Sequence, residues 1–193
     1  MSKLIVTIFL LFFLAAPTAF AQPSRAKQID SITRILPQLR DTVKLQAIVR
    51  LHGLHAGLPA QKQYIDMMLK EARRQKNVFY EDRALSLLSR WFINKHETDS
   101  ALIVTKELIR FTREHKLYER LFWAHDNHVQ HLASHGQTLT AIREAENAYS
   151  EAKDLLDNLF MSKMKATIGF VYNSMDLMED AAFCYHESIE LMA

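Results

Sequence analysis

The chain has 193 residues, a formal net charge of +2 and a single cysteine. With no run of five or six Lys or Arg, the charge pattern gives no basis for nucleic-acid binding. One cysteine excludes an intramolecular disulfide, so packing has to supply the stability.

The first 21 residues read as an export signal. Lys3 precedes an uncharged apolar run from Leu4 to Ala16, then Pro17, and the segment ends Ala19-Phe20-Ala21. Small residues one and three places before a cut are what signal peptidase accepts, so cleavage is expected after Ala21, leaving Gln22 first. Removal of Lys3 brings the formal charge to +1. No cysteine opens the mature chain, so no lipid anchor is expected. The protein is expected to be periplasmic or secreted, with no membrane insertion after cleavage. The roughly 170 residues that remain suit one domain with a continuous core.

Residues 22–40 are expected to form a capping helix, from Ser24 to Leu36, stopped by Pro37. Ile29, Ile32 and either Ile35 or Leu36 should turn inward. Beyond Pro59 there is no proline and only two glycines, Gly136 and Gly169, while apolar residues recur every three or four positions. That is a helical pattern, and the alternating Val, Ile and Thr runs of strands are missing.

Residues 41–193 repeat with a period of 40. Sliding the sequence by that amount aligns Ala101, Ala141 and Ala181. It also aligns Ile48, Leu88, His128 and Ile168 in one column, with Val49, Ser89, Val129 and Gly169 in the next. Met68, Leu108, Ala148 and Ser188 form a later column, followed by Leu69, Ile109, Tyr149 and Ile189. A fixed period with one small column marks stacked helix pairs, because two antiparallel helices approach closely only where a side chain is small. Pairs are expected to open near Asp41, Asn77, Lys116 and Leu156, and His96, Gly136 and Asp176 mark the turns inside them.

These residues resemble the tetratricopeptide repeat family, most closely in the last unit. There Ile168-Gly169 match the family's Leu-Gly pair, Tyr172 its tyrosine, Ala181 its second-helix alanine, Tyr185 its aromatic and Ser188 a later small position. The first unit departs from the pattern, with Gln61 where alanine is expected, and 40 residues exceed the family's usual 34 by six, which helices about a turn longer than usual would supply. The resemblance implies an all-α, right-handed α-solenoid of about four helix pairs behind the N-terminal cap. It also implies a concave face lined by the first helices, which places Arg83, Arg90, Asn94, Asp126, Gln130, Lys163, Phe170 and Asn173 near the groove wall. Such a surface would hold a protein or peptide segment, its cations meeting an acidic one.

Other chemistry is thinly represented. His128, His131 and His135 span one helix sector and are the candidate metal ligands, but His128 falls in a column that faces the partner helix, so no metal is expected. His52 and His55 lack the acidic residue of a metalloprotease helix. The aromatics Trp91, Phe92, Phe122, Trp123, Phe160 and Phe170 read mostly as core, and Cys184 as a small buried hydrophobe. No nucleophile or phosphate-loop signature is present, so neither an enzyme nor a cofactor is expected.

Two functions fit. One is an exported, non-enzymatic interaction module that binds a protein segment on its concave face. The other is the periplasmic sensory or assembly region of a bacterial transcriptional regulator or histidine kinase, shortened in this chain. Tyr185, Ile189 and Met192 have no following repeat over them, so a homodimer through the last repeat is a further expectation.

Overall fold

A computed structural model describes residues 24–193; the expected leader, residues 1–21, and the cut after Ala21 lie outside them. Among the described residues there are nine α-helices and no strand. The capping helix α1 (Arg25–Ile35) runs into a short 3-10 turn, Leu36–Gln38, that contains Pro37. Ser24 caps its start by accepting the Lys27 N–H. Ile29 and Ile32 pack on the first core cluster. Between the two alternatives at the next turn, Leu36 is buried and Ile35 stays 45% exposed.

Four antiparallel pairs follow: α2 (Asp41–Leu54) with α3 (Gln61–Gln75), α4 (Val78–Asn94) with α5 (Thr98–Glu114), α6 (Tyr118–Ser134) with α7 (Thr138–Asp154), and α8 (Asn158–Ser174) with α9 (Met178–Glu190). The starts lie within two residues of those expected. Each helix packs on the next, and α6 also packs on α8, so first helices meet across the repeat. The molecule is an α-solenoid.

Polar residues place the helix starts. Asn77 and Asp157 accept the N–H groups of Tyr80 and Phe160, each at 3.2 Å, satisfying donors that a helix start leaves free. Six turns close the same way. At Lys76, His96, Lys116, Gly136, Leu156 and Asp176 the backbone takes positive φ, between 52° and 74°. In each, that residue's N–H reaches the carbonyl three back and the next N–H the carbonyl five back, as in His96 to Ile93 and Glu97 to Phe92. Gly136 meets this conformation at no steric cost, whereas the five side-chain-bearing residues adopt it against a modest penalty.

The repeat columns form the core. Ala101, Ala141 and Ala181 are buried where the pairs close, and so are Ile48, Leu88, His128 and Ile168. The first unit departs from the others because α3 opens at Gln61, so Gln61 begins its helix while Ala101 is the fourth residue of α5. Neighbouring units are tied by ion pairs on the rims: Arg73 of α3 to Glu107 of α5, Arg113 of α5 to Glu151 of α7, and Asp82 of α4 to Arg120 of α6. Arg113 grips Glu151 through two hydrogen bonds of 2.7 and 2.8 Å and, with His125, holds that carboxyl down to about 2.

The three candidate histidines do not share one site. His128 is 2% and His131 6% exposed, each against a different neighbour, while His135 lies on the surface with its ring 4.3 Å from that of His131. Among the described residues no three His, Cys, Asp or Glu side chains converge as a metal site. His55 hydrogen-bonds the Leu51 carbonyl at 2.8 Å and lies against Tyr64, which gives it a packing role. Cys184 is buried in the third core cluster, and burial pushes its thiol up.

Burial pushes His128 down to about 4; Lys106, His125 and His131 add to this and Glu144 opposes it. The folded state keeps this imidazole neutral, while the unfolded chain takes up a proton near pH 6.5. Stability should therefore fall as the pH drops from 6.5 to 4, by about 3 kcal/mol at most from this group. Glu71 and Glu151, held near 2, contribute stability that is lost only lower, from about 4.5 to 2. In urea denaturation across pH, His128→Leu should shrink the loss in the upper window, leaving the part due to His52 and His131, and keep the lower loss in place.

Candidate partner-binding groove

The first helices α6 and α8 lie side by side and enclose an open cleft of about 450 Å³, to which Tyr185 of α9 also contributes. Its floor is apolar. Phe122 and Phe160 stack with ring centroids 4.2 Å apart, and Met164 beside them is fully buried. The walls carry apolar groups in solvent: Trp123 is 60%, Phe170 44% and Tyr185 39% exposed. Exposed aromatic side chains around a buried apolar floor are the composition of a recognition surface.

One hydrogen-bonded link sets the spacing of the two helices. Asp126 of α6 accepts from the Thr167 hydroxyl of α8 at 2.7 Å with one oxygen and from Gln130 at 3.0 Å with the other. Thr167 is buried, so this carboxylate is committed to holding the walls together rather than to a ligand. Lys163 differs: its ammonium lies 5.3 Å from the centre of the Phe160 ring and, among the described residues, makes no ion pair. It is the free charge at the edge of the cleft. A cation over an aromatic face retains its attraction for an incoming carboxylate, which can approach from the solvent side.

Of the eight residues expected at the groove wall, the structure brings four together here: Asp126, Gln130, Lys163 and Phe170. Asn94 lines another cleft, with Trp91, Lys95 and the Gly57–Pro59 turn. Arg83 and Arg90 are exposed on α4 and lie near His52, whose pKa burial lowers first and these two guanidinium groups lower further. Asn173 is exposed near the end of α8 and lines neither cleft. The proposed basic and polar wall is therefore split between the two ends of the solenoid.

Trp123 and Tyr185 are the wall residues that the sequence reading placed elsewhere. Trp123 is exposed although its neighbours Phe122 and Ala124 are both buried, and residue type alone gave no signal for it. Tyr185 reaches the cleft because Gly169 has no side chain: a Cβ there would lie 3.0 Å from the Tyr185 ring.

No protein-family model and no curated protein matches the sequence. Solved structures do. A kinesin-light-chain-type protein of Podosopora anserina with nearly identical TPR-like repeats superposes with a TM-score of 0.51 at 9% identity, covering 87% of this chain and 94% of that one. BtubC (BKLC) from P. vanneervenii aligns over 88% of this chain and 91% of its own, at 13% identity and a TM-score of 0.37. The first of these likenesses and the 40-residue helix pairs lead to one conclusion: the chain is a TPR-like helical-repeat protein, an all-α solenoid.

Proposed function

We propose that this chain is an exported, non-enzymatic binding module that holds a segment of a partner protein in the α6–α8 cleft. The observation that carries this reading is the exposure of Trp123 and Phe170 around a buried aromatic floor, beside the unpaired Lys163. The occupant is a segment with an aromatic or long aliphatic side chain seated between Trp123 and Phe170, and an Asp or Glu next to it that meets Lys163. The leader-like residues 1–21 support export, and N-terminal sequencing of the chain recovered outside the cytoplasm should begin at Gln22.

On an array of random peptides the protein should select an apolar residue flanked by an acidic one. Trp123→Ala with Phe170→Ala should weaken the best selected peptide at least tenfold, about 1.4 kcal/mol or more. Both residues are largely exposed, so the fold should be preserved. Unchanged affinity would remove the groove from the account.

A second reading, self-association through α9, is favoured by one comparison. Ile65, Thr105 and Ala145 are no more than 3% exposed in their column, yet Tyr185 in the same column is 39% exposed. In the next column Ile109 is 7% and Ile189 71% exposed; in a third, Ala72, Thr112 and Ala152 are fully buried and Met192 is 58% exposed. These columns are built to receive another helix. A second copy supplies one in an isologous dimer, α9 against α9. Sedimentation across a concentration series should show dimers that Ile189→Glu abolishes; a monomer at every concentration would end this reading.

A further inference from the structure

A trench runs between α5 and α7, the second helices of the middle units, with α6 beneath it, and encloses about 350 Å³. His125 and His128 form its floor, 4% and 2% exposed. Packing does not require imidazoles there. The equivalent positions of other units hold buried Ile48, Leu88 and Ile168 in the column of His128; in that of His125 they hold buried Leu45 and Leu85 and the half-buried Lys165, which pairs with Glu187. Both imidazoles have a buried Nδ1 with no hydrogen-bond partner. A buried nitrogen left unsatisfied keeps the cost of its lost hydration, so a fold that could use leucine gives up stability at this place.

The walls carry opposite charges. Arg113 and Glu151 satisfy each other, and His125 Nε2 sits 3.4 Å from the guanidinium and 3.5 Å from the carboxylate. Lys106 and Arg110 on the α5 side, and Glu144 on the α7 side, make no ion pair among the described residues. An imidazole nitrogen donates or accepts according to tautomer and protonation, so the floor can serve either sign of ligand group. An anion alone would face Glu144 unanswered, and a cation alone would face Lys106 and Arg110.

We propose that this trench binds a free α-amino acid, its carboxylate toward Lys106 and Arg110, its ammonium toward Glu144, and its remaining hydrogen bonds to the buried imidazoles. The volume lies at the lower end of the range for small-molecule sites, roughly 300–1,000 Å³, which suits a ligand of this size. The site stands on different helix faces from the aromatic cleft, so the two can be tested separately.

Isothermal titration calorimetry of the purified protein at pH 7 uses each of the twenty free amino acids as probe, with inorganic phosphate and putrescine as probes of a single charge sign. At least one amino acid should bind with one-to-one stoichiometry, and Glu144→Gln or the pair Lys106→Gln with Arg110→Gln should weaken it at least tenfold. His128→Leu should abolish the binding in a protein that remains folded, because Leu88 holds the same column. The proposal is overturned if no amino acid binds, if phosphate or putrescine binds as tightly, or if His128→Leu leaves the affinity unchanged.

Discussion

Two facing columns of side chains fill the contact inside the later helix pairs, and the rest of the solenoid depends on how each unit divides that space. In the second unit Ser89 faces Thr105, with their hydroxyl oxygens 2.6 Å apart. In the third, Val129 and Ala145 lie together in one core cluster. In the fourth, Gly169 opposes Tyr185 so closely that a Cβ would meet the ring at 3.0 Å and the Ala181 carbonyl at 3.2 Å. In the third and fourth pairs a small residue faces a larger one, as close packing demands, while in the second two small hydroxyl residues meet through a hydrogen bond. Constant spacing within pairs lets successive pairs stack with one period. The stacking brings α6 and α8 side by side as walls of a cleft and sets α5 and α7 as the banks of a trench.

The same constraint explains where function can enter. A column that must be filled tolerates changes of chemistry only where the fold remains dense, so replacing Leu or Ile by His125 and His128 alters polarity while keeping bulk. Gly169 has the complementary effect, because its missing side chain lets the Tyr185 ring approach and brings Tyr185 to the rim of the aromatic cleft. Cross-links between units then restrain the walls. Asp126 ties α6 to α8 through Thr167, and Arg113 ties α5 to α7 through Glu151.

Much of this architecture was legible in the sequence because packing imposes a period that composition cannot hide. The alanine column and the Ile48, Leu88, His128, Ile168 column identified helix pairs and the face they bury, and the column placed His128 inward correctly. The turns were less readable. Gly136 announced its positive φ, but Lys76, His96, Lys116, Leu156 and Asp176 adopt the same conformation because the paired backbone bonds around them impose it. Gln61 could not be placed by the repeat alone, since the Gly57–Pro59 turn delays the start of α3. The groove wall was half legible. The family's concave geometry placed Asp126, Gln130, Lys163 and Phe170 together but could not show that Arg83 and Arg90 stand apart from them. Trp123 was read with the other aromatics as mostly core, and residue type could not single it out as the exposed one.

The claim that facing columns share one volume is tested most directly by a double-mutant cycle at Gly169 and Tyr185, with stability measured by urea denaturation. Gly169→Val alone should cost about 2 kcal/mol, because the new side chain overfills the contact. Adding Tyr185→Ala recreates the Val129 and Ala145 combination of the preceding unit and should recover at least half of that loss, with a coupling of about 1 kcal/mol or more. If the two substitutions simply add, each destabilising without regard to the other, the columns do not trade volume and the account of the repeat is wrong.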